Sequence, residues 1–438
     1  MNAEARIRTP AEQALAAQIE ALRPKLPGKG AIARLREEAA NAFLQGGLPH
    51  RRIEEWKYTD VRAALRDAAL HAAPPDANAI AAARALDPLP GVEARRIVLV
   101  NGSFVGELSD LKNLEKGLAI RSLADALAKG DLPARFGTLA PDGYDALFAL
   151  NTAFLNDGVI IEVAPNAAIE RPIHVVHAFV GGAPAATFAR VFVSIGKGAR
   201  AVLVESLVGS GKTHQANSAS ELILEEGSAL LAVRVDIEDA GWRYTNVLAE
   251  IGKNARLNTF ALITGAALSR NALTVRFQGE KAQATLAGAT LLRGRQHSDT
   301  TLVVDHAQPG GTSRELFKSA LDDESRGVFQ GRIVVRPNAQ KTDARMMTGA
   351  LLLGEAAEAD NKPELEIFAD DVQCGHGATA GALDENLLFY LRARGIPRKE
   401  AEALMVESFV GESLATIAHE GIREAMASRV RAWLGERR

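Results

Sequence analysis

Cysteine is almost absent from this chain: Cys374 is the only one in 438 residues. A single thiol excludes an intramolecular disulfide and fits a reducing compartment. No run of about 18 apolar residues occurs, which excludes a membrane-spanning helix of the ordinary kind. Neither sign of charge dominates, with 51 Lys and Arg against 54 Asp and Glu and a formal net charge of -3. There is therefore no electrostatic case for nucleic acid or an anionic membrane as partner. The stretch from Met1 to Glu20 lacks the apolar core of a secretory leader and carries Glu4, Glu12 and Glu20, unlike an acid-poor transit peptide. The expectation is a cytoplasmic chain. What is present, 47% hydrophobic and 24% charged residues, is ordinary for a soluble globular protein with room for one to three domains.

The hydrophobic pattern divides the chain into four regions. Residues 1–95 read as helical from 11 to 71, with breaks at Pro24, Pro27 and Gly46-Gly47 and linker around Pro74-Pro75 and Pro88 to Gly91. Residues 96–156 carry a hairpin, Ile97 to Val100 turning through Asn101-Gly102, and a short helix near Leu123 to Ala128. In residues 157–380 the period becomes two. Tight turns recur at Asn166, Gly198, Gly227, Asn254, Lys281, Gly310 and Asn338, at intervals between 27 and 32 residues. Gly and Asn tolerate positive φ, so turn geometry is what repeats, and strands follow each turn. A period this long without intervening helix predicts a β-solenoid whose coils bury one another's inner faces, rather than a sandwich with more closely spaced turns. Residues 381–438 return to helix: Asp384 caps Glu385 to Ala393, Gly395 stops it, and Pro397 opens the next. A final helix is expected from Leu414 to Leu434, with these terminal helices covering open solenoid edges.

Several motifs invite chemistry. Ser206 to Thr213 (SLVGSGKT) nearly matches a phosphate-binding loop, but Ser206 replaces the first glycine and a strand pattern, Glu221 to Leu224, follows where a helix is needed. No nucleotide site is expected. Asp370-Asp371 resembles the paired acids of polysaccharide-cleaving solenoid enzymes, yet adjacent strand residues face opposite sides. Such an enzyme would also be secreted and aromatic-rich, whereas aromatics here are 5%. His174 and His177 lack a cysteine or acid at useful spacing, His214, His297 and His306 read as polar-loop histidines, and His306 is the best of the remainder. Cys374 and His376 differ, because residues two apart in an extended segment face one target together. Both suit iron, zinc or copper, and two ligands do not complete a site. A self-sufficient metalloprotein would have to recruit His306 as well; otherwise the missing ligands come from another chain.

The same residues carry a family resemblance. Asp370 to Thr379 (DDVQCGHGAT) followed by Leu388 to Ile396 is similar to the C-terminal signature of the SufB/SufD family of SUF iron–sulfur cluster assembly proteins, on its SufD side. Phe329 to Val335, Ala339 to Ala344, Leu351 to Leu353, Pro363 to Ile367 and the N-terminal Glu54-Glu55-Trp56-Lys57-Tyr58-Thr59 also fit it. The resemblance implies a right-handed parallel β-helix between N- and C-terminal helical regions and a non-catalytic scaffold role. It implies a SufB partner across the β-helix, the ATPase SufC at the C-terminal helices, and a transient iron–sulfur cluster shared with SufB at His376 and Cys374. It leaves open a homodimer of the isolated chain, and nothing in the sequence marks a flavin site.

Overall fold

The computed structural model describes residues 8–141, 143–209, 214–237 and 241–436. From Asp157 onward successive strands go alternately to two sheets, so each strand's neighbour within its sheet lies two strands away in sequence. Pairing along this array is parallel, as in Ala229–Asp236 with Arg256–Ile263 and then Gln283–Leu292. One strand from each sheet makes a coil, and the result is the parallel β-solenoid expected from the repeat. Two antiparallel pairs adorn its N-terminal end: the hairpin Arg95–Val100 with Ser103–Phe104, and Leu118–Ser122 on Asp157–Val163. Asn101 and Gly102 both take positive φ in the hairpin turn.

The recurring turns stack along one edge. The amide of Asn166 donates to the Lys197 carbonyl, Gly198 to Glu226, Gly227 to Lys253, and Asn254 to Glu280, at 2.8–2.9 Å. Lys281 and Gly310 continue the ladder, and each of these turn residues has φ between 55° and 72°. The left-handed conformation aims each N–H along the solenoid axis at the next coil. The last step departs from expectation. Asn338 does not take that conformation; Lys341, three residues later, does so at φ 63° and donates to Asp371 at 2.6 Å. A lysine in this region costs about 1–2 kcal/mol, offset by the inter-coil hydrogen bond and by the ion pair of its ammonium with Asp371.

Between the sheets lies an apolar lumen, filled by Val191, Leu222, Ile251, Leu257, Phe277, Leu286, Ile333 and their neighbours. The helices do not plug the solenoid's end, as expected, but cover the outer faces of its sheets. Arg398–Leu414 and Glu420–Gly435 bury Val406, Val410, Met426 and Trp433 against Val233, Val235, Phe260 and Ala289 of the ten-stranded sheet. Both were expected, one opened by Pro397 and one from Leu414; the last begins later, at Glu420, because Leu414 ends the preceding helix and His419 caps the amide of Ile422. Toward the N-terminus, Pro10–Leu22, Ala31–Gly46 and Ala146–Ala153 pack on the nine-stranded sheet around Phe188 and Tyr244. Beyond Ala64 the predicted helix is absent, while Ala77–Arg84, between the two linker clusters at Pro74-Pro75 and Pro88 to Gly91, is helical with Asp76 as its cap.

One cation clamps the N-terminal layer to the solenoid. Arg190, 1% exposed, donates to Asn151 Oδ1 at 2.9 Å, Thr152 Oγ1 at 2.9 Å and Glu221 Oε1 at 2.7 Å. Glu221 is itself fully buried and accepts the Gly137 amide at 2.9 Å. Arg190→Met strands the Glu221 carboxylate and is expected to cost about 3–5 kcal/mol in urea unfolding. Adding Glu221→Gln should recover part of that loss; an additive double variant would show that the charges do not act as a pair.

The lumen also holds an acid. Glu315 stands in register between Leu286 and Met346, is 2% exposed, and has no well-formed hydrogen bond on either oxygen. Burial pushes its carboxyl from 4.5 to about 7, against smaller opposing contributions from Ser313 and Arg314. A carboxyl raised in the folded state stabilises the fold fully below its unfolded value, and this contribution is lost as pH rises through about 7. Glu315→Gln should therefore be nearly neutral at pH ~5 and stabilising by up to roughly 3 kcal/mol at pH ~8. Equal effects at both pH values would show that this carboxyl does not titrate there.

Candidate functional site at the open end of the solenoid

The ten-stranded sheet ends at Gln373–Gly381, which pairs only with Asp343–Leu352; Glu358–Ile367 ends the other sheet. These strands are more exposed than those before them, and Met347, Ile367 and Phe368 stand out as exposed apolar side chains at this end. Cys374 is the last member of an inward column, Ala284, Ser313, Ala344, Cys374; His376 ends the adjacent column, Leu286, Glu315, Met346, His376. In every earlier coil such positions are covered by the next coil. Here none follows, so the inward face of the last strand becomes a surface. Cys374 is half-buried against the lumen core, and His376 is exposed.

Together they line an open trough of about 490 Å³ with Arg345, Met346 and Met347. Of the two flanking glycines, Gly375 has open space where a side chain would be. At Gly377 a Cβ would meet the Met347 methyl at 2.8 Å, so this glycine admits the thioether across the strand. Burial pushes the Cys374 thiol up, and the carboxylates of Asp343 and Glu315 push the same way, against a hydrogen bond with the Ala344 backbone. The charges around the thiol are thus of the sign that keeps it protonated, the opposite of an activated nucleophile. The site offers one sulfur and one imidazole at an edge, an incomplete donor set.

The remaining sequence candidates lie elsewhere. His306 is fully buried, stacked on Phe277 at 4.1 Å with Nε2 3.0 Å from Ser313 Oγ. Among the described residues no three His, Cys, Asp or Glu side chains converge as a metal cage, so the self-sufficient site of His306, Cys374 and His376 is not formed. His174 and His177 are buried partners of Ser206 and Glu205. Asp370 and Asp371 are exposed turn residues, and Asp371 is committed to Lys341. Ser206 to Gly209 end a strand and the next described element is the strand Gln215–Leu224; Lys212 lies outside the described residues.

A second surface escaped the sequence reading. The helix Glu385–Ala393 exposes Leu387, Phe389 and Tyr390, and Leu404 joins them from the following helix. Leu388 turns into the helical core, with Leu391 packed partly against it. The available signal was the run Leu387 to Leu391: five apolar residues in succession exceed the buried stripe of one helix.

Comparison with known proteins agrees with this architecture. Residues 178–409 match the family described as "SUF system FeS cluster assembly, SufBD core domain", and residues 27–175 match the "SufBD protein N-terminal region". An iron–sulfur cluster assembly SufBD family protein of Synechocystis is 31% identical over 393 residues, 86% of each chain. The iron–sulfur cluster assembly protein SufD of Escherichia coli is 28% identical, covering 89% of this chain and 90% of its own. Protein ABCI7 of Arabidopsis thaliana chloroplasts is 27% identical over 92% of this chain and 86% of its own. With both regions matched and the solenoid in place, the chain belongs to the SufBD family of the SUF iron–sulfur cluster assembly system.

Proposed function

We propose that this chain is a SufD-like, non-catalytic scaffold subunit that shares a nascent iron–sulfur cluster with a SufB-type partner seated on its open solenoid end. The observation that carries the reading is the exposed inward face of the last strand, which presents Cys374 and His376 as an incomplete ligand pair. A partner that stacks its own edge there would bury Met347, Ile367 and Phe368 and supply the missing donors. The cluster is cargo, transient by virtue of a divided ligand set. The apolar patch of Leu387, Phe389, Tyr390 and Leu404 serves a different partner, a SufC-type ATPase, since it lies on the helical region outside the solenoid.

His376 ranks above Cys374 as a ligand. Its ring is exposed, whereas the thiol is half-buried and held protonated by its surroundings. His376→Ala should leave the SufB–SufC–SufD assembly intact and lower its cluster occupancy roughly tenfold, the scale on which ligand-supporting groups act. Cys374→Ser should lose less. Anaerobic reconstitution followed by cluster absorbance and iron content decides: an unimpaired His376 variant removes the residue from the mechanism, and a larger loss at Cys374 inverts the order. Phe389→Ala should weaken docking of the ATPase by about 2 kcal/mol or more, as for a central aromatic anchor, without changing cluster loading on the open end. Titration calorimetry showing undiminished affinity would place the ATPase elsewhere.

A further inference from the structure

The segment Glu54 to Thr59 lies against the outer face of the nine-stranded sheet and reaches across four successive coils. Trp56, 2% exposed, stacks beneath the Arg270 guanidinium at 3.7 Å from its ring centre. Arg270 donates to the Glu55 carbonyl at 2.7 Å and to Asp299 Oδ2 at 2.5 Å. Thr59 Oγ1 donates to the same carboxylate and lies 2.9 Å from His297 Nε2. One coil further, Gln330 reaches the Glu55 carbonyl at 3.4 Å, and in the last coil Lys362 pairs with Glu54 at 2.6 Å. Arg270, Asp299, Gln330 and Lys362 belong to adjacent strands of one sheet, so a single short segment ties together four consecutive coils, including the last.

We propose that Glu54 to Thr59 is a strap that closes over the finished solenoid and holds its last coil, and with it the Cys374–His376 edge, in place. Two features support this. Glu54 and Lys362 are 308 positions apart in sequence, so stacking of the coils between them greatly lowers the entropic cost of closing the contact. The strand it grips, Glu358–Ile367, has a neighbour on one side only, which makes it the coil most prone to fray. Lys362 is held charged: burial works against its ammonium, but hydrogen bonds to Glu54 and Glu364 outweigh it and raise its pKa. The link from strap to partner docking rests on the function proposed above; the holding of the coil does not.

Hydrogen exchange of the full-length chain, read by mass spectrometry, tests the strap. Glu54→Lys and Lys362→Glu should each raise exchange in residues 358–381 roughly threefold, the scale of a partly exposed ion pair, and leave the early coils at 157–224 unchanged. The combined Glu54→Lys/Lys362→Glu exchange of charges should recover part of the original rate, the remainder being lost because residue 362 then repels Glu364. Unaltered exchange in the single variants, no recovery in the combined one, or acceleration spread evenly along the chain would each overturn the proposal. Affinity for a SufB-type partner measured on the same variants separates the two readings: slower association with normal exchange rates speaks against the strap, and altered exchange with unchanged association speaks against docking at this end.

Discussion

Burial of a coil's inner face by the coil beside it is the constraint on which the rest of this structure depends. No coil has enough apolar surface to fold alone. Stacking in register therefore supplies both the backbone hydrogen bonds and the lumen core, and register makes columns of equivalent side chains. Along most columns the members are apolar. Where a column runs out, at Gln373–Gly381, the last residue loses its cover and an ordinary core position turns into a surface group. Cys374 and His376 occupy two such positions, so the same rule that builds the core also generates the site.

That origin explains the chemistry available there. A thiol at the end of a core column keeps one side in a low-dielectric lumen, and Glu315 deeper in the same lumen adds a repelling charge when ionised. Both effects favour the neutral thiol. The imidazole beside it stands further into solvent. An edge strand with unpaired backbone groups and exposed apolar side chains is a hazard for a protein that stays alone, and natural sheets usually blunt it. Here Glu358–Ile367 carries such devices in Lys362, Pro363 and its acidic residues, whereas Gln373–Gly381 has no proline and no Lys, Arg, Asp or Glu, and that unblunted strand fits a surface whose use is to be covered.

The two helical regions divide the outer faces between them. The C-terminal pair lies on the ten-stranded sheet, and the N-terminal layer lies on the nine-stranded sheet, held by the buried Arg190–Glu221 pair and by Trp56 beneath Arg270. Neither caps the open end. Coverage of faces rather than edges lets the solenoid be finished, strapped and still open for stacking.

Much of this was legible in the residues. The interval between Gly and Asn turns set the solenoid, because left-handed turn geometry is a local property that these residues tolerate. The hairpin at Asn101-Gly102 and the Asp384 cap are local in the same sense, and the spacing of Cys374 and His376 put them on one face of a strand. What the sequence left undetermined depends on contacts far along the chain. Lys341 rather than Asn338 takes the last left-handed turn, since the ladder bond to Asp371 selects it. The desolvation of Glu315 and the grip of Glu54 on Lys362 likewise have no local signature. Periodicity records which residues face inward; only stacking decides which of them is last, and therefore which inward face meets solvent.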